Sequence, residues 1–208
     1  MSEFDIAEIN KIIEEVQAKF NCAPGQQATV ITATDGFKTL DRFGWGITRV
    51  KKDGTLLQLI NIRFETYEAR PSRRAQRCII PIDGFYEWRK DARTKQPFYF
   101  HHSQNELLAL AGLYELTDAD EHEHRFAIVT IPAHGAVAEI HDRMPFIIPR
   151  EYHADWLSGA DCLEIIEEVS DYVTKIVVSH PVSPIVNSPA NDSPVCIEPF
   201  KPHTLFGD

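Results

Sequence analysis

Arg77-Cys78-Ile79-Ile80-Pro81-Ile82-Asp83-Gly84-Phe85-Tyr86-Glu87-Trp88 is the stretch on which the fold turns. An apolar run rich in β-branched residues stops at Asp83-Gly84, a pair with turn chemistry, and a second strand-like run starts at once. Strands are expected over Arg77–Ile80 and Phe85–Arg89. Alternation in the second places Phe85, Glu87 and Arg89 on one face, with Tyr86 and Trp88 on the other. A glutamate set among aromatics is a candidate for a raised pKa and so for acid/base work. A solvated strand glutamate would give the same pattern.

Further strand signals lie on both sides. Ala28 to Thr34, the turn Asp35-Gly36, and Phe37 to Phe43 form a β-hairpin pattern. Leu56–Ile60, Phe98–His102, Leu107–Tyr114, Phe126–Ile131 and Val173–Ser179 also have strand character. Helices are expected over Phe64–Arg70, Ala133–Ile140, Arg150–Leu157 and Asp161–Glu168. Near the start, Phe4, Ile6, Ile9, Ile12, Ile13, Val16 and Phe20 recur at helical spacing. They predict an amphipathic helix over about 5–19, opened by a capping-box-like Ser2-Glu3-Phe4-Asp5 and broken by Asn21-Cys22-Ala23-Pro24-Gly25. Strands outnumber helices and are joined mainly by short turns. The pattern gives an α+β fold on a mostly antiparallel sheet, in one domain spanning 1–208. The Pro/Ser/Asn-rich stretch His180–Pro194 resembles a linker in composition. The apolar Val195-Cys196-Ile197 that follows argues for an ordered loop packed on the domain.

Composition narrows the function classes. Of 208 residues, 43% are apolar, enough for a real core. No apolar run reaches 18 residues, so no membrane span is expected. The start has no basic or apolar leader segment. Cys22, Cys78, Cys162 and Cys196 are scattered, which points to reduced thiols in a cytoplasmic protein rather than a disulfide framework or a metal site. The net charge of −10 argues against general nucleic-acid binding. Yet residues 42–95 hold 13 Lys/Arg against 6 Asp/Glu, while the remainder holds 8 against 25. This basic middle fits either one localised anion-binding face or charges dispersed over the folded surface.

Three more segments carry candidate chemistry. In Phe43-Gly44-Trp45-Gly46-Ile47, the glycines leave the Trp45 ring open to a ligand, though core or rim packing is the favoured reading on physical grounds alone. In Asn61-Ile62-Arg63, alternation puts an amide and a guanidinium on one face, a pair able to grip a phosphate or sugar. A helix cap followed by a surface arginine fits as well. In His141-Asp142-Arg143-Met144-Pro145, a histidine flanked by an acid and an arginine can exchange protons near neutrality, or can serve as a structural hydrogen-bonding residue.

Taken together, these segments resemble the SOS-response-associated peptidase (SRAP) family. The resemblance is carried by the Cys-Ile-Ile-Pro-x-Asp-Gly-Phe-Tyr-Glu-Trp and His-Asp-Arg-Met-Pro stretches, by Asn61/Arg63, by the Gly-Trp-Gly turn, and by His180-Pro181-Val182-Ser183 with Val186-Asn187-Ser188-Pro189. It runs from about Asn21 to Cys196. It implies a curled β-sheet flanked by short helices. It also implies a sensor of abasic sites in single-stranded DNA that forms a reversible covalent crosslink in the DNA damage response. Autopeptidase and lyase-like chemistry would accompany it, with no cofactor or metal, in a monomeric cytoplasmic protein. In the family an N-terminal cysteine supplies the amine and thiol that close a thiazolidine ring with the opened sugar. By resemblance, Asn61 positions that residue, Glu87 manages protons and His141 assists ring opening. Arg63, Arg77 and Arg143 hold phosphates, and Trp45 supports the unpaired strand.

The resemblance fails at the start. The sequence reads Met-Ser-Glu-Phe, where the family has Met-Cys-Gly-Arg, and 18 residues separate Ser2 from Asn21. The family's first strand is therefore expected to be missing. A start upstream of Met1, a paralogue that binds DNA without crosslinking, and Ser2 acting in place of cysteine are the three readings. Cys22 is no substitute, because its amine is locked in a peptide bond. The rival functional class is a non-catalytic single-stranded DNA-binding module of the same fold.

Overall fold

The computed structural model describes residues 18–34, 37–69, 75–90, 95–116, 124–161 and 163–200. The N-terminal helix expected over 5–19 lies almost wholly outside them, as does the turn at Asp35-Gly36. The strands are β1 (Gln27–Thr34), β2 (Phe37–Trp45), β3 (Ile47–Val50), β4 (Leu56–Leu59), β5 (Asn61–Arg63), β6 (Gln76–Ile82), β7 (Gly84–Lys90), β8 (Lys95–His102), β9 (Leu108–Glu115), β10 (Arg125–Pro132), β11 (Arg143–Pro145) and β12 (Val177–Pro181). The helices are α1 (Phe64–Ala69), α2 (Gly135–Ala138), α3 (His153–Ser158) and α4 (Leu163–Ile176).

The main sheet has the order β11–β10–β2–β1–β6–β9, and β9 also pairs with β10. Five strands therefore close on themselves, giving the curled, mostly antiparallel sheet of an α+β fold. β10 is the seam. One of its edges pairs in parallel with β2 and then with β5, and the other pairs antiparallel with β9 and then with β11. A strand bordered on both edges reads as a continuous apolar run, and Phe126 to Ile131 is buried throughout. β1 and β2 form the hairpin seen in the sequence, in register from Gln27↔Gly44 to Thr34↔Phe37.

β6 and β7 follow each other through Asp83 but part company. β6 stays in the main sheet, whereas β7 forms the edge of a three-stranded sheet of order β12–β8–β7. Gly84 permits this departure, since a Cβ there would sit 2.4 Å from the Phe100 carbonyl oxygen and 2.5 Å from the Tyr99 ring. The small sheet is buried on both faces. Phe85 stacks on Phe100 in the main core, with centroids 5.2 Å apart. Tyr86 and Tyr99 pack with Val182, Val186 and Cys196. The stretch after His180 is thus ordered and packed, held by short 3₁₀ turns at Pro184–Asn187 and Pro194–Ile197.

One strand expectation is corrected in part. Val173 to Ile176 belong to α4, and β12 starts only at Val177. Ile165, Val169 and Val173 recur at helical spacing and are buried on one face, so burial of that stripe outweighs the β propensity of Val173, Thr174 and Ile176. The helix expected over Asp161–Glu168 is accordingly longer. The one expected over Ala133–Ile140 shrinks to the single turn of α2.

Candidate functional site

A cleft of about 1520 Å3 opens where β5, β7, β11 and the 18–24 segment converge. Asn61, Arg63, Glu87, His141, Arg143 and Trp45 all line it. Residues from four separate segments of the sequence are thus brought to one place.

Glu87 and His141 form its centre. Glu87 projects from the core-facing side of β7, and its Oε2 lies 4.0 Å from His141 Nδ1. Burial pushes the Glu87 carboxyl above its usual range, His141 opposes the rise, and Asp142 adds to it. The loop backbone fixes the imidazole. With its proton on Nε2, Nδ1 accepts from the Arg143 amide at 3.1 Å; with a proton on Nδ1, it donates to the Arg143 carbonyl at 3.0 Å. Asp142 Oδ1 stands 3.4 Å from the same nitrogen. A carboxyl poised toward the neutral form beside an imidazole with two supported proton positions is equipped to exchange protons with a bound group.

Asn61 and Arg63 stand on the exposed side of β5, with Ile62 turned inward, as alternation requires. Trp45 packs against the sheet and also faces the cleft. Its ring lies on Phe126 at 6.4 Å and within 9° of parallel, its indole N–H donates to the Ile60 carbonyl at 2.9 Å, and it still lines the cleft. Trp45 thereby holds the backbone one residue before Asn61.

Two arginines differ from expectation. Arg77 does not line the cleft. Its guanidinium lies 4.5 Å from the Trp156 ring centroid and 5.5 Å from that of Tyr67, and Nη1 donates to the Ala160 carbonyl at 2.7 Å. It ties β6 to α3, whose Trp156 donates in turn to the Cys78 carbonyl at 2.8 Å. Arg143 does line the cleft, but its fork already holds an anion, the Glu65 carboxylate, at 2.7 and 3.0 Å. Thr130 accepts from the same guanidinium through its carbonyl oxygen at 2.5 Å.

Sequence reasoning missed Glu65 and the clamp that shapes the other cleft wall. The Asn21 side-chain amide donates to the carbonyls of Val186, Ser188 and Asn191, while Asp192 accepts from the Phe20 and Asn21 amides. Tyr86 donates its hydroxyl to the Phe20 carbonyl at 2.5 Å, and Trp88 donates to Asn187 at 2.7 Å. The only signal for this clamp was the density of Asn, Ser and Asp between 183 and 193. Arg42 and Lys95 add positive charge to the rim. Cys22 also lines the cleft, half-buried, with burial raising its thiol. Among the described residues, no three His, Cys, Asp or Glu side chains gather as a metal site, and no helix is long and apolar enough to cross a membrane.

Fold and site together define an α+β protein in which a small three-stranded sheet and a loop beside the curled sheet bring a carboxyl–imidazole pair into an arginine-rimmed cleft. Residues 2–189 match the SOS response associated peptidase (SRAP) family, and the chain belongs to that family. It is similar to the abasic site processing protein YoqW of Bacillus subtilis, 34% identical over 197 residues that cover 88% of this chain and 87% of that one. It is also similar to the abasic site processing protein YedK of Escherichia coli, 31% identical over 192 residues, covering 87% and 84%. Among solved structures, a protein of Bacteroides thetaiotaomicron shares the fold with a TM-score of 0.63 at 22% identity, over 85% of this chain and 82% of that one.

Proposed function

We propose that this protein senses abasic sites in single-stranded DNA, with the cleft around Glu87 and His141 receiving the opened sugar. The observation that carries this reading is the 4.0 Å approach of Glu87 to His141 inside a cleft that also holds Asn61 and Arg63. The names of the relatives, abasic site processing proteins, supply the substrate class.

An abasic sugar in its ring-opened form presents an aldehyde. His141 assists opening by moving a proton at the ring oxygen. A free α-amine adds to the aldehyde carbon, the resulting hydroxyl takes a proton from Glu87 and leaves as water to give an iminium, and the Glu87 carboxylate takes back the nitrogen proton to give an imine. A thiol on the same residue then adds across the C=N bond and closes a thiazolidine ring. An α-amine has a pKa of about 7.7–8.0, so part of it is a free nucleophile at neutral pH. Asn61 orients the amine-bearing residue, and Arg63 with Arg143 holds flanking phosphates. In a chain beginning Met-Cys, hydrolysis of the bond after Met1 is the peptidase step that frees the amine. The sequence has Ser2 at that place, and a hydroxyl closes a far less stable ring than a thiol. Stable covalent trapping therefore needs a residue with both a free α-amine and a thiol, and Ser2 supplies no thiol. The protein acts as a monomer in the cytoplasm, and no cofactor is involved.

The test is a denaturing gel. The chain as given and a version extended at its start with Met-Cys-Gly-Arg-Phe are each incubated with a single-stranded oligonucleotide bearing one abasic site. A shifted band from the extended version alone is expected. A shift from neither favours a non-catalytic binding module of the same fold, and a shift from the chain as given refutes the requirement for the thiol.

A further inference from the structure

Arg143 poses a puzzle for any anion-binding cleft, because its guanidinium is already engaged. Glu65, in the first turn of α1, places both carboxylate oxygens on Nη1 and Nη2. This bidentate fork is the geometry in which a guanidinium grips a phosphate. Arg143 is largely buried, with 19% of its side chain exposed, whereas Glu65 is 53% exposed. Thr130 anchors the guanidinium from behind through Nη2, and Nε–H has no acceptor among the described residues. The arginine is therefore fixed by the protein, while the carboxylate reaches it from the solvent side. Arg63, opposite Thr130 in the β5–β10 register, also acts on Glu65: the Arg143 hydrogen bonds, joined by the charges of both arginines, hold its carboxyl below the usual range.

We propose that Glu65 occupies, in the free protein, the anion position on Arg143 that a backbone phosphate of the bound strand takes over, and that it thereby sets a threshold for binding. The proposal rests on the reading that the cleft takes single-stranded DNA. A phosphate entering the fork must displace the carboxylate. Intact strands with few other contacts are held weakly as a result, while a strand that also places a sugar at Glu87 and His141 gains enough contacts to open the pair. Glu65 is then a specificity-determining counter-ion that touches Arg143.

The test is fluorescence anisotropy with an intact single-stranded oligonucleotide at fixed salt, using Glu65→Gln, Arg143→Gln and the double variant. Because the pair is partly solvent-exposed, its release should tighten binding roughly two- to fivefold in Glu65→Gln. The gain should vanish when Arg143 is already Gln, the signature of coupling through that one contact. Glu65→Asp, which keeps the charge but withdraws it by one methylene, should show a smaller gain and covers the case in which Gln at 65 impairs folding. Unchanged or weaker affinity in Glu65→Gln overturns the proposal, as does an equal gain in the Arg143→Gln background, which would be only an effect of net charge. If the unaltered chain binds no single strand, intact or abasic, the underlying reading fails and this proposal falls with it.

Discussion

Glu87 Oε2 and His141 Nδ1 lie 4.0 Å apart although one comes from the edge strand of the small sheet and the other from the loop before β11. Burial raises the Glu87 carboxyl, so the folded chain holds that proton more tightly than the unfolded chain. The folded form binds more protons in the window that begins at the ordinary value of 4.5 and extends upward. Stability from this group is fully present below that value and is lost as the pH rises through the raised one. Glu87→Gln removes the titration. The melting temperature of Glu87→Gln relative to the unaltered protein should therefore climb as the pH rises above about 4.5. A constant difference across that range would show that Glu87 is solvated.

The same substitution bears on chemistry. In a crosslinking-competent form, Glu87→Ala should slow formation or reversal of the DNA adduct by roughly 100-fold or more, the usual scale of positioned acid–base catalysis. A time course on a denaturing gel reads this directly. Unchanged kinetics would remove Glu87 from the mechanism.

His153 gives the opposite pH response. Burial lowers its imidazole below the ordinary value of 6.5, and Nε2 lies 3.2 Å from the Ile148 carbonyl oxygen. The folded chain binds fewer protons there, so stability present above 6.5 is lost as the pH falls through the lowered value. His153→Gln should flatten the acid side of the stability profile below about pH 6.5, measured by thermal melting.

Arg77 and Arg63 should separate cleanly. Arg77→Ala loses the stack on Trp156 and the bond to Ala160, at a cost of about 1–2 kcal/mol in denaturant unfolding, with DNA affinity intact. Arg63→Ala should do the reverse, leaving stability near normal and weakening single-strand binding roughly three- to tenfold, with a shallower salt dependence. A loss of affinity in Arg77→Ala at unchanged stability would return Arg77 to the binding surface.

Gly84→Ala should destabilise the protein by about 1–3 kcal/mol, because the added methyl meets the Phe100 backbone and the Tyr99 ring. Backbone cannot yield as a flexible side chain can, and the shift would move β7 and with it Glu87. Thermal melting and the crosslinking rate should fall together.

Much of this architecture is legible in the sequence because it is local. The pairing of β1 with β2 and the alternation in Phe85–Arg89 are set over short range, and the structure keeps both faces of β7 as alternation assigns them. The cleft residues Asn61, Glu87 and His141 were legible through motif resemblance, and the structure brings them together. What local pattern could not show were pairings across long stretches of chain. Arg143 meets Glu65 78 residues away, and Arg77 is held by Ala160, 83 residues away. An arginine reads as free charge in the sequence until its distant partner is known. The Val173–Ser179 stretch misleads for a related reason: its β-branched residues report propensity, while its conformation follows the buried stripe of α4.

The central claim is that the Glu87–His141 cleft receives the abasic site, and amide hydrogen exchange with and without an abasic single-stranded oligonucleotide tests it most directly. The account predicts protection in the segments around Asn61–Arg63, Phe85–Trp88 and Ile140–Arg143, stronger with the abasic strand than with the intact one. Protection confined to other surfaces, or equal protection by both strands, would contradict it.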